Sequence, residues 1–96
     1  MPIFITTVNA TAGTAEQAST SQDEYRYILF MARPSNGSAV YVGSSSAVTS
    51  TNGVELAPGD DFTISLPRGG DFVAIADFWF DAATGTDNID VFAQNS

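Results

Sequence analysis

Apolar and polar residues alternate with a period of two over much of this chain, and no stretch sustains a helical period. Residues 3–8 (IFITTV) read as a short β-branched strand. Residues 61–66 (DFTISL) alternate most cleanly, with Phe62, Ile64 and Leu66 turned inward and Asp61, Thr63 and Ser65 outward. Two longer runs are apolar on both faces. Residues 23–33 (DEYRYILFMAR) place Tyr25, Tyr27, Leu29 and Met31 on one side and Arg26, Ile28, Phe30 and Ala32 on the other. Residues 72–80 (FVAIADFWF) place Phe72, Ala74, Ala76, Phe78 and Phe80 opposite Val73, Ile75, Asp77 and Trp79. A strand of that kind is covered on both sides, or one of its sides is an interface.

Glycine, proline and asparagine punctuate these runs. Pro34-Ser35-Asn36-Gly37 predicts a hairpin turn with a positive φ, returning antiparallel through residues 38–43. Val40 and Val42 then share a face opposite Tyr41. Gly43 ends that strand. A Ser/Thr-rich loop anchored by Val48 follows, and Asn52-Gly53 turns it into residues 54–56. Pro58-Gly59 fits the centre of a type II turn. Pro67-Arg68-Gly69-Gly70 breaks the next strand, residues 81–88 read as a polar loop, and residues 89–93 (IDVFA) close the chain. The expected fold is all-β: a single antiparallel β-sandwich or small barrel of six to seven strands. Residues 9–22 are small and polar, with too little apolar surface to offset their own ordering entropy. Residues 1–22 are therefore expected to be an N-terminal arm and flexible linker, with a short helix over residues 12–18 as the lower-ranked alternative. Residues 23–96 are expected to be the β-sandwich domain.

Composition narrows the chemistry. The 96 residues include eleven acids, three arginines (Arg26, Arg33, Arg68), and no lysine, histidine or cysteine, for a net charge of −8. Such a chain is not expected to bind nucleic acid, which needs clustered cations, nor an anionic membrane surface. Ser-His-Asp and Cys-His catalysis, Schiff bases and zinc sites built on His and Cys lack their residues. The acids Asp60, Asp61, Asp77 and Asp81 could in principle serve glycoside hydrolysis, and the same acids with Asp87, Asn88 and Asp90 could supply oxygen ligands to calcium. Solvated turn acids are the ranked reading of both sets, and no cofactor is expected. Arg26 and Arg33 are expected to pair with carboxylates. The N-terminus lacks the basic segment and long apolar run of a signal peptide, which points to synthesis in the cytoplasm.

The segment VYVGSSSAVTSTNGVELAPGDDFTISL, residues 40–66, resembles a small β-domain of tailed-bacteriophage virion proteins. The matching residues are Val40, Val42, Gly43, Ser44, Val48, Thr49, Asn52, Gly53, Leu56, Pro58 and Gly59. The likeness extends over roughly residues 25–93, with FVAIAD and IDVFA standing at the following and closing strands. Three features depart from the pattern: the aromatic Phe78-Trp79-Phe80, a longer loop at residues 81–88, and the arm. The resemblance implies a non-enzymatic capsid decoration (cement) protein on the virion surface, with the major capsid protein as partner and a homotrimer as the favoured assembly. A tail, fibre or baseplate component, or a carbohydrate- or surface-binding module stacking sugars on Trp79, is the alternative. The small chain with its own Met1 favours the decoration role. The expected contact residues are Ile3, Phe4, Ile5 and Val8 on the arm, with Tyr25, Tyr27, Phe78, Trp79 and Phe80 on the double-faced strands. Gly43, Asn52, Gly53, Pro58 and Gly59 are expected to serve the turns.

Overall fold

The computed structural model describes residues 3–20, 23–66 and 72–94. The strands are β1 (Ile3–Thr11), β2 (Glu16–Gln17), β3 (Glu24–Tyr25), β4 (Tyr27–Ala32), β5 (Val40–Gly43), β6 (Val54–Leu56), β7 (Asp61–Ser65), β8 (Val73–Ala74), β9 (Trp79–Ala82) and β10 (Thr86–Gln94), with one 3-10 turn at Ile75–Asp77. The fold is all-β, and among the described residues no barrel closes. One four-stranded sheet runs β1-β10-β4-β7, a second runs β2-β9-β5-β6, and β3 pairs with β8 alone. Every strand pair is antiparallel. Ile28, Phe30, Ile89 and Val91 of the first sheet pack against Val40, Val42, Leu56 and Phe80 of the second in one apolar core.

The expected N-terminal arm is a strand of the domain's own sheet. β1 pairs with β10 without a skipped residue, from Ile3↔Gln94 to Thr11↔Thr86. The expected linker is instead ladder over residues 9–11, where small residues fit. Ala10 is fully buried, and the β10 ladder offsets an ordering cost that side-chain burial alone could not. Beyond β1 the chain turns at Gly13 (φ +81°). Gln17 then donates from Nε2 to the Ala76 carbonyl at 2.7 Å. No helix forms over residues 12–18.

The two double-faced runs are each divided. β3 and β4 separate at Arg26, so Tyr25 turns into the core while Tyr27 faces outward. The run at residues 72–80 passes from β8 into the 3-10 turn, which buries both Ile75 and Ala76, and resumes as β9 in the other sheet. The expected Pro34–Gly37 hairpin is instead a crossing between sheets. Both edges of β4 are occupied, by β10 and β7, so β5 pairs with β6 and β9. Gly37 does not have a positive φ. Asp87 holds the crossing by accepting from Gly37 N (3.0 Å), Ser38 N (3.2 Å) and Ser38 Oγ (2.8 Å). Asn36 adds a reciprocal pair with the Asn88 backbone at 2.8 and 2.9 Å. The expected loop at 81–88 is largely strand, and its Asp81 and Asp87 are buried.

The turn at Pro58-Gly59 is as expected: Gly59 has φ +90° and Asp60 N donates to Ala57 O at 2.8 Å. Gly43 and Gly53 have no positive φ and are glycines for space. A Cβ on Gly43 would lie 2.5 Å from Val48 Cγ2, and one on Gly53 would lie 2.9 Å from the same methyl. Asn52 fastens this loop by accepting from Thr49 N (2.7 Å) and donating to Ala47 O (3.1 Å). The Pro67–Gly70 break and Arg68 lie outside the described residues.

Candidate functional site

Strand alternation gives the first sheet one face in the core and one outside. The ladders fix which residues share the outer face. One row runs Ile3, Gln94, Tyr27, Ser65, and the next runs Ile5, Phe92, Leu29, Thr63. The third runs Thr7, Asp90, Met31, Asp61. Ile5 is 71% exposed and Ile3 55% exposed. Tyr27, Leu29, Met31 and Phe92 are half-buried among one another. Tyr27 and Phe92 meet edge to face, with ring centroids 6.1 Å apart. The first two rows contain no charged residue in a chain of net charge −8.

The third row ends this surface with a neutralised pair. Arg33 donates from Nε to both Asp90 oxygens at 3.0 Å, and Thr7 Oγ1 donates to Asp90 Oδ1 at 2.7 Å. Arg33 Nη2 in turn donates to Thr7 Oγ1 at 3.1 Å. The Arg33 hydrogen bond, aided by the bond from Thr7 and by charge attraction, holds the Asp90 carboxyl below the usual aspartate range against a desolvation effect that acts in the opposite direction. A depressed folded pKa stabilises the fold above the unfolded value, and that contribution is lost as pH falls through the folded one. Both side chains are more than 40% exposed, so solvent screening keeps the pair small. Asp90→Asn is expected to change stability by less than about 1 kcal/mol at neutral pH. It should also flatten the acid limb below about pH 4 in urea melts followed against pH.

Of the expected contact residues, Ile3, Ile5 and Tyr27 lie together on this outer face. Val8, Tyr25 and Phe80 do not: all three are core. Val8 is an inward position of β1, Tyr25 is turned in by the break at Arg26, and Phe80 lies 5.6 Å from Phe30. Phe4 packs against the core beside Tyr25, at 6.3 Å between centroids, and Phe78 packs on Phe30 at 5.1 Å. Trp79 is half-buried on the opposite side of the second sheet, paired with Gln17 and Gly43. Leu29, Met31 and Phe92 belong to the face but were not among the expected contact residues. The alternation of β4 places Leu29 and Met31 there, and the strand register adds Phe92.

Away from this face, a concavity of about 280 Å³ opens between β6 and β7. Val42, Val54, Phe62, Ile64 and Phe78 give it apolar walls, with Ser44 and Asn52 at its polar part.

The acids do not converge. Asp87 and Asp90 lie on opposite faces of β10, one tied to backbone N–H groups and the other to Arg33. Asp81 accepts from Gly13 N at 3.1 Å and Ala82 N at 2.9 Å. Asp60 accepts from Ala57 N at 3.1 Å inside its turn. Among the described residues no group of three His, Cys, Asp or Glu side chains is placed to hold a metal ion. Arg26 lays its guanidinium over the Phe72 ring at 4.4 Å, and its Nε is buried with no hydrogen-bond partner among the described residues. In the serine loop, Ser45 Oγ accepts from Ala47 N at 3.2 Å.

No protein-family model matches this chain, and no curated protein or solved structure matches it.

Proposed function

We propose that this protein is a non-enzymatic structural component that docks onto a larger protein assembly through the outer face of its first sheet. The observation that carries the proposal is the pair of uncharged rows centred on Ile5, Phe92 and Leu29. A contiguous apolar patch of this kind on a soluble domain marks an interaction surface. Its charged boundary is the Arg33–Asp90 pair, which is already neutral, together with the exposed Asp61 beside Met31, so docking strands no unpaired charge at the pair and leaves Asp61 in water at the rim.

The resemblance of residues 40–66 to phage virion domains supplies the assembly. In this reading the protein is a capsid decoration protein, made in the host cytoplasm and bound to the major capsid protein on the outside of the head. It adds contact area across capsomer junctions. The test is co-sedimentation with empty heads of the phage that carries the gene. The wild-type chain should bind and raise the temperature at which the heads come apart. Leu29→Glu, a change on the outer face alone, should weaken binding at least tenfold while the isolated protein keeps its cooperative melt. Heads that neither bind the chain nor gain heat stability would refute the decoration role, and labelling of tails in its place would assign the chain there.

A further inference from the structure

The two large sheets end in four edge strands, and three of them are protected against further pairing. β2 has two residues and carries Glu16, β6 has three and carries Glu55, and β7 opens on Asp61 directly after Asp60. Short length and charge are the usual defences of a sheet edge. β1 has neither. It runs nine residues, IFITTVNAT, with no charge, no proline and no bulge in its register with β10. The turn that follows it comes back at the Thr11↔Thr14 bridge and covers its C-terminal end. From Ile3 to Thr7, no strand lies along its outer side among the described residues.

We propose that this edge pairs with the same edge of a second copy, antiparallel, about a two-fold axis at Ile5. Backbone donors and acceptors along an open edge are matched by another strand. An antiparallel pairing of one strand with itself closes under two-fold symmetry, so it makes a dimer rather than a fibre. Electrostatics select the occupant. Two molecules of net charge −8 repel each other over most of their surfaces, but the strands that meet here bring no charge with them. Across the axis Ile5 lies beside the partner's Ile5, a β-branched cross-strand pair, and Ile3 lies beside the partner's Thr7. The product is one eight-stranded sheet in which the row Leu29, Phe92, Ile5 continues into its own copy. This pairing is two-fold, unlike the trimer that the phage resemblance implies, and it stands whatever the outer face docks on.

A five-residue pairing spans only about 17 Å of strand, so it buries less than the roughly 1,200–2,000 Å² typical of stable complexes. Self-association is therefore expected in the micromolar range or weaker, and the test must read concentration dependence. Sedimentation equilibrium of the intact chain should show mass rising from 10.1 kDa toward twice that value. The chain has no cysteine, so single-cysteine variants report contacts without background. Directly opposed residues in an antiparallel pair lie about 4.5–5.5 Å apart at Cα, within disulfide reach. Under mild oxidant, Ile5→Cys should cross-link at least ten times faster than Thr63→Cys on the opposite edge. Ile5→Lys should weaken self-association at least tenfold with the Trp79 fluorescence of the folded chain unchanged. A mass fixed at the monomer value over all concentrations, or equal cross-linking of the two cysteine variants, would overturn the proposal.

Discussion

Deleting residues 1–8 is expected to unfold the protein. The deletion removes the partners of residues 89–94 along β10 and leaves an interior strand as an edge. It also removes Val8 from the core and Phe4 from its place against Tyr25. Burial of two such side chains contributes about 1.5–3 kcal/mol each. Exposure of Ile89, Val91 and Ala93 along the newly open edge adds to the loss. A domain of this size has only about 5–15 kcal/mol in total. Far-UV circular dichroism and amide-proton dispersion should show loss of the cooperative fold. A truncated chain that melts like the full-length one would show that β1 contributes nothing to the domain.

Phe30→Ala is expected to cost about 3–5 kcal/mol, the range for removing a buried aromatic ring. Phe30 is fully buried in a strand with neighbours on both sides, so the backbone cannot move in to fill the space. Its ring meets three others from two parts of the chain: Phe62 stacked at 6.1 Å, and Phe78 and Phe80 at 5.1 and 5.6 Å between centroids. Phe62 and Phe78 also wall the concavity between β6 and β7, so the void left by the ring lies beside an opening that admits water. Urea unfolding followed by Trp79 fluorescence should show a lower midpoint with an unchanged slope. Phe30→Leu, which restores most of the volume, should recover most of the loss.

These two sites mark what was and was not legible in the sequence. Ile28, Phe30 and Ala32 were readable as one face of a strand because a period of two is a local property, and the Gly59 turn was readable because Pro-Gly carries its own backbone preference. The integration of β1 was not readable. Asn9, Ala10 and Thr11 have too little side chain to announce burial, and what orders them is a ladder with residues at the other end of the chain. The double-faced runs misled for a related reason. Tyr25 and Tyr27 alternate correctly on paper, but the break at Arg26 turns one inward and leaves the other out. The sheet crossing after β4 was hidden because Asn-Gly has the chemistry of a hairpin, whereas Asp87, fifty residues away, determines its course. On the candidate face, Tyr27 and the isoleucines were accessible to sequence reasoning, and Phe92 required the register.

The same ladder has a consequence for how the molecule is made. β10 lies between β1 and β4, and it pairs residue 3 with residue 94. The first sheet therefore cannot assemble until its last strand has been synthesised, because β1 and β4 have no ladder in common without it. Contacts this distant along the chain make for slow folding, in milliseconds to seconds rather than microseconds. During that interval the isoleucines of β1 and the apolar run of β4 are open to water and to neighbouring chains.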